Sequence, residues 1–321
     1  MPGHARSSPH GLLWFCLLAV GMFALRLVFG VATVPPAAVG ALNLVSAVVF
    51  VAVPLYALFL GCSHGWAWPS SAAVLVVGAA VQVGAGWAVS QLHLVGASQV
   101  VAQAIGQTGL LVWCLGLGVL VSLLIKDKNL MVPIALFLAG FDVFLVLTPY
   151  APTAAILEQR PEVFQSVASS VPKARVATID KPSGAKVETL AYVGPADFLF
   201  SAVFFALVFK FGMRAKATLK WLAVVLVAYL LAVMAPVGLG MLPALVPIGA
   251  TVLLVNRGEF SLTRDEKQAT WAVVAVAVVL AGFGITQRLN YRAKPILPSG
   301  TGTAPDFPEP GAPAGKPAPG P

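Results

Sequence analysis

Residues 220–257 of this chain read KWLAVVLVAYLLAVMAPVGLGMLPALVPIGATVLLVNR, and no charged residue lies between Lys220 and Arg257. The 36 uncharged residues would form a helix about 54 Å long, whereas about 20 apolar residues cross the hydrocarbon core of a bilayer. The stretch therefore predicts two membrane crossings instead of one. We expect the break at 235–240, where APVGLG brings a proline and two glycines into the helical pattern.

The composition of the whole chain agrees with a membrane environment. Of the 321 residues, 59% are hydrophobic and 10% are charged, whereas a soluble globular domain carries about 25% charged residues. This balance excludes a cytosolic enzyme and a disordered chain. The net charge of +8 does not predict nucleic-acid binding, because the bases flank long apolar runs as they do in membrane-protein loops. The sequence predicts a polytopic membrane protein.

The length criterion predicts an all-α fold with about nine transmembrane helices. The predicted spans are 11–34, 38–61, 71–95, 98–125, 130–150, 195–213, 217–238, 239–256 and 268–287. The first span could instead be a signal peptide with a small-residue cleavage site near 30–32. Its length and the presence of Arg26 favour a retained span.

We divide the chain into four regions. Residues 1–128 form an N-terminal membrane region of four helices, and 129–256 form a membrane core that contains a hydrophilic loop, 151–191. Residues 257–294 add one C-terminal span. The loop is expected to be solvated, and the proline- and glycine-rich tail 295–321 is expected to be disordered because it has little apolar surface to bury.

The distribution of basic residues predicts the orientation. With a cytoplasmic N-terminus, the short cytoplasmic loops carry nine bases, and only three follow the ninth span on the other side. Positive charge concentrates on the cytoplasmic side of membrane proteins. The sequence therefore predicts a cytoplasmic N-terminus and places the loop 151–191 on the opposite side.

Two acidic residues, Asp142 and Asp197, are the only acids inside predicted spans. A carboxylate at membrane depth costs a few kcal/mol and is usually functional; the structural alternative is an ion pair with Arg26 or Lys210. Both acids lie toward the side of the loop 151–191, on consecutive antiparallel helices. Two close carboxylates share a proton, so that one activates water as a base while the other protonates a carbonyl oxygen. This is the chemistry of an aspartic protease.

Three segments resemble the presenilin and signal peptide peptidase family, the GxGD-type intramembrane aspartyl proteases. Phe141-Asp142 is similar to the family's Tyr-Asp motif, and Gly194-Pro195-Ala196-Asp197-Phe198 is similar to its Gly-x-Gly-Asp-Phe motif. Leu242-Pro243-Ala244-Leu245 contains its Pro-Ala-Leu motif. The three segments occur in the family's order, within residues 130–256.

The resemblance implies a presenilin-like bundle with Asp142 and Asp197 as the catalytic pair. It further implies that the other motif residues shape the active site and bind substrate: Phe141, Gly194, Ala196, Pro243, Ala244 and Leu245. The implied substrates are transmembrane-helix proteins or remnant signal peptides within the lipid bilayer, with no cofactor, no metal and no nucleic acid. A helical substrate has to unwind before hydrolysis, and the extended strand would then pair with a β edge of the enzyme.

The chain also departs from the family pattern. Phe141 replaces the family's tyrosine and removes a hydroxyl, and Ala196 replaces a glycine and adds a methyl group. These changes leave the acids intact and bear on catalytic rate and substrate preference. Asp142 falls in the fifth predicted span where the family has it in the sixth, and one further span follows Pro-Ala-Leu.

Two other functions remain open on the sequence alone. One is a transporter in which the same two acids relay protons or bind a cation. The other is a catalytically impaired presenilin-like scaffold, because of Ala196. Away from these acids, Gln103 and Gln107 share one face of the fourth span, and we expect them to hydrogen-bond to a neighbouring helix.

Overall fold

The computed structural model describes residues 10–148, 168–176, 188–234 and 243–293. Within these ranges the chain forms nine α-helices and four short strands. The helices are α1 (Gly11–Val31), α2 (Pro36–Cys62), α3 (Trp68–Gln91), α4 (Ala97–Leu124), α5 (Met131–Leu147), α6 (Pro195–Lys210), α7 (Ala215–Met234), α8 (Leu245–Val255) and α9 (Arg264–Ala293). The strands are β1 (Thr33–Val34), β2 (Ser169–Pro172), β3 (Arg175–Val176) and β4 (Thr189–Val193).

The described helices confirm a multi-pass membrane protein. Seven of them, α1 to α5, α7 and α9, are long and apolar enough to cross a bilayer. The other two are shorter than predicted, because α6 has 16 residues and α8 has 11. Helix α8 begins at Leu245, directly after Pro243 and Ala244, and at about 1.5 Å per residue it spans roughly half of the hydrocarbon core. The predicted break at 235–240 and the tail 295–321 lie outside the described residues.

Helix α6 lies at the centre of the bundle. Every residue from 201 to 208 is buried, and Phe204 and Phe205 are among the largest fully buried side chains. A helix that is apolar on all sides is buried on all sides. Helix α4 approaches closely at Gly118, where an added Cβ would lie 2.6 Å from the Cβ of Ala202. The helix that carries Asp197 is therefore held by its neighbours along most of its length.

Part of the predicted solvated loop is packed against the membrane helices. Strands β2 and β4 pair antiparallel, with Ser169 opposite Val193, and β1 pairs with β3 in parallel. Ala168, Val171 and Ala174 are at most 3% exposed. For 168–176 the prediction of a solvated segment is wrong, because most of these residues are buried and polar side chains of α1, α2 and α4 bind their backbone.

Helix α9, the additional C-terminal span, packs along the helix that carries Asp142. At Gly140 of α5 an added Cβ would lie 2.5 Å from the Cβ of Ala277, and at Gly284 of α9 it would lie 3.1 Å from Phe144 Cα. The ring of Phe283 adds an aromatic contact with Phe144. The two glycines let the backbones of α5 and α9 approach closely at Gly140 and at Phe144, the positions two residues before and two residues after Asp142.

Candidate active site

Asp142 is partly buried on α5, five residues before the helix ends at Leu147. Its Oδ2 accepts a hydrogen bond of 2.8 Å from the backbone N–H of Leu245. Leu245 is the first residue of α8, so this N–H has no partner inside its own helix. The Pro-Ala-Leu segment therefore contacts the first acid directly, through the backbone of its leucine.

Asp197 is the third residue of α6. Its Oδ2 accepts a 3.1 Å hydrogen bond from the N–H of Gly194, the residue that precedes the helix. Pro195 occupies the first helical position, where a missing N–H costs nothing. An acid in the first turn also interacts favourably with the helix dipole. Gly194 and Pro195 thus fix both the start of α6 and the direction of the Asp197 side chain.

The two carboxyl groups lie close enough to interact electrostatically with each other. Within the described residues, each carboxylate accepts a backbone N–H at Oδ2, and Oδ1 of neither accepts a hydrogen bond. Tyr229 of α7, which is partly buried, interacts electrostatically with both acids. The site is therefore built by α5, α6, α7 and the start of α8.

The other motif residues differ in how closely they approach this pair. Pro243 and Ala244 are partly buried and lead directly into Leu245. Ala196 is partly buried and packs against the main hydrophobic core. Phe141 is 36% exposed, and its ring stacks on Phe137 and Phe144 of its own helix. Its described ring contacts are thus with its own helix.

The structural ion pair weighed as an alternative is wrong for the described residues. Arg26 donates its hydrogen bonds to Ser169 and Ser170. Lys210 donates to the carbonyl oxygens of Ser122, Leu123 and Ile125, at the C-terminal end of α4. Neither base forms an ion pair with Asp142 or Asp197 within the parts of the chain that the structure describes. Among the residues that the structure describes, neither acid thus has a basic partner.

Two residues near the site, Tyr229 and Cys114, were not found from the sequence. Tyr229 lies in the apolar stretch of α7 that follows Lys220, and no motif marks it. Cys114 of α4 contacts the carbonyl of Pro195 through its thiol and interacts electrostatically with Asp197.

The prediction for Gln107 concerns another part of the molecule. Its side-chain amide donates to the carbonyl of Ala168 instead of to a neighbouring helix. The predicted interhelical role of Gln107 is therefore wrong, since its partner is the segment that leads into β2.

The arrangement supplies two carboxyl groups that interact electrostatically, each oriented by a backbone N–H. In such a pair one carboxyl group can keep its proton while the other is ionised and acts as a base. Comparison of the chain with protein-family models, curated proteins and solved structures found no match. The functional conclusion therefore rests on the geometry and chemistry of the site.

Proposed function

We propose that this protein is an intramembrane aspartyl protease that hydrolyses peptide bonds within transmembrane helices. The observation that carries the proposal is the hydrogen bond from the N–H of Leu245 to the carboxylate of Asp142. The same carboxylate also interacts electrostatically with Asp197. The contact joins two of the three segments that are similar to motifs of one protease family, and the third segment carries Asp197. A presenilin-like arrangement of the bundle is part of the proposal.

In this mechanism the ionised carboxylate removes a proton from a water molecule. The water oxygen attacks the carbonyl carbon of the scissile peptide, while the protonated carboxyl group donates its proton to the carbonyl oxygen. The tetrahedral intermediate collapses when the C–N bond breaks and the nitrogen takes up a proton. The products are a new carboxyl terminus and a new amino terminus, and the aspartate pair returns to its starting protonation.

Strand β4 supports the handling of an extended substrate. It pairs with β2 along one edge, and the described residues place no strand on its other edge. The strand ends at Val193, directly before Gly194. An unwound transmembrane helix or remnant signal peptide that added to this edge would run toward Asp197, and its main-chain hydrogen bonds would be satisfied.

The proposal is tested with purified protein reconstituted in liposomes that contain a labelled transmembrane-helix peptide and an internal pH-sensitive dye. We expect new peptide termini inside the membrane segment, detected by mass spectrometry, and no proton flux above that of empty liposomes. Proton flux that depends on Asp142 and Asp197, without cleavage across a broad peptide panel, would establish the transporter alternative. Neither cleavage nor flux would favour the scaffold.

Replacing Leu245 by proline is expected to lower kcat by about 10- to 100-fold, because a hydrogen bond to a charged group contributes about 1.5–3 kcal/mol. Proline is tolerated at the first position of a helix. It removes the N–H that binds Asp142 together with the leucine side chain, and it disfavours the helical φ and ψ of Ala244. The matched control is Leu245→Ala, which also removes the buried side chain but keeps the N–H. Steady-state cleavage rates decide; equal kcat in the two variants would contradict a role for this N–H.

A further inference from the structure

Arg26 is a buried cation on α1 that binds strand β2. Its side chain is only 6% exposed. Nη1 donates to the carbonyl oxygen of Ser170 at 2.7 Å and to its Oγ at 3.1 Å, and Nη2 donates to Ser169 Oγ at 3.2 Å. The guanidinium also lies 4.8 Å from the centre of the Phe50 ring. Because arginine keeps its charge in proteins, these contacts hold a full positive charge against one strand.

Three more polar side chains bind the same short segment from the membrane helices. Ser46 of α2 donates to the carbonyl of Pro172 at 2.6 Å, and Gln107 of α4 donates to the carbonyl of Ala168 at 2.8 Å. Asn43 of α2 accepts from the N–H of Ala174 at 2.7 Å. Residues 168–174 are thus fixed at several points by side chains from α1, α2 and α4.

The anchored strand is connected to Asp197 by a short series of hydrogen bonds. Ser169 and Ser170 of β2 pair with Val193 and Tyr192 of β4. Gly194 follows β4 immediately, and its N–H binds the Asp197 carboxylate. A shift of β2 would therefore move β4, Gly194 and the first turn of α6 together.

A small cavity behind the strand makes such a shift sterically possible. Its lining includes Arg26, Gln107, Ser169 and Phe198, the last of which follows Asp197 in the chain. Oε1 of Gln107 is buried and has no hydrogen-bond partner among the described residues. Arg26, β2 and Phe198 thus line the same cavity, and without the guanidinium both β2 and Phe198 have more room to move.

We propose that Arg26 is a positioning residue, which fixes β2 and, through β4 and Gly194, the orientation of Asp197. The catalytic consequence rests on the proposed protease function. Arg26 touches neither acid; its contribution is to hold the segment from which Asp197 emerges.

The kinetic test compares Arg26→Gln and Arg26→Lys with Arg257→Gln, a control at an exposed arginine in the turn after α8. Misplacement of a catalytic group by about 1 Å lowers rates by about 100-fold, so Arg26→Gln is expected to lower kcat by about 10- to 100-fold. KM should change far less. Lysine keeps the charge and donates from a single nitrogen without the planar fork of arginine, and should recover part of the loss. Unchanged kcat in Arg26→Gln would overturn the proposal.

A second measurement does not depend on proteolysis. In a chain with Cys16, Cys62 and Cys114 replaced by alanine, the substitutions Asp142→Cys and Asp197→Cys introduce two thiols, which are then joined with a short bifunctional thiol reagent. We expect Arg26→Gln to lower the cross-linking yield at least several-fold, while Arg257→Gln leaves it unchanged. Equal yields in the parent double-cysteine protein and in its Arg26→Gln and Arg257→Gln variants would overturn the proposal even if the protein cleaves peptides. A lower yield supports it even if no substrate is found.

Ser46→Ala provides a variant for the case in which Arg26→Gln fails to fold. It removes one anchor of β2 and leaves the buried cation with all its partners. The expected loss of kcat and of cross-linking has the same direction and is smaller. An unaltered cross-linking yield in Ser46→Ala together with Arg26→Lys would count against anchoring of β2 as the cause.

Discussion

Replacing either Asp142 or Asp197 by asparagine is expected to lower peptide cleavage by at least about 10⁴-fold, because residues that act as one catalytic unit lose most of their effect together. Asparagine has nearly the same shape and still accepts a hydrogen bond from Leu245 or Gly194 through its amide oxygen. It neither accepts a proton from water nor donates an acidic proton. Both changes therefore remove the chemistry and keep the local contacts.

The matched control for these variants is Asp265→Asn, in the first turn of α9 and outside the site. We expect wild-type cleavage rates in this variant. The measurement is the initial rate of product formation from a labelled transmembrane peptide in detergent micelles, with circular dichroism to compare helix content. A cleavage rate in Asp142→Asn within tenfold of the wild-type rate would exclude a shared aspartate mechanism.

Introducing leucine at Gly140 is expected to lower the free energy of unfolding by about 3 kcal/mol and to separate α9 from α5. The added Cβ would meet the Cβ, Cα and carbonyl oxygen of Ala277 at 2.5 to 2.7 Å. Two of these are backbone atoms, which cannot move without displacing the helix. Gly284→Leu should act in the same direction but less strongly, since its nearest atoms lie at 3.1 Å.

Gly282→Leu is the control on α9, because no atom lies within 4 Å of the Cβ that would be added there. It should be neutral or slightly stabilising, since leucine favours a helix over glycine by up to about 1 kcal/mol. Denaturant titrations followed by circular dichroism give the three free energies. Equal stabilities for the variants at 140 and 282 would show that α9 does not pack on α5 as described.

The helices and the two acids could be predicted from the sequence because both depend on local properties. The length of each apolar run predicts the membrane segments. Because charged residues are rare inside these runs, Asp142 and Asp197 stand out as the only acids within them. Helix α8 was predicted too long because apolar composition does not show where a helix begins. Pro243 lies before its first residue, and the chain enters the helix only at Leu245.

The anchoring of β2 could not be predicted because its contacts are between residues far apart in the chain. Arg26 and Ser170 are separated by 144 positions, and their bond joins a side chain to a backbone carbonyl, which leaves no residue pattern. From the sequence, a carboxylate is the expected partner of Arg26, whereas in the structure Arg26 donates hydrogen bonds to two serine hydroxyl groups and a backbone carbonyl. The charges of 151–191 also favoured a solvated loop and concealed the apolar residues around Val171.

The most direct test of the aspartate pair is to let the purified wild-type protein cleave a labelled transmembrane helix in water enriched in ¹⁸O. Hydrolysis by an activated water predicts one ¹⁸O atom in the new carboxyl terminus, at a bond inside the membrane segment. The same product should be absent with Asp142→Asn and with Asp197→Asn. A new terminus without ¹⁸O, or the same labelled product from the double variant, would contradict the mechanism proposed for Asp142 and Asp197.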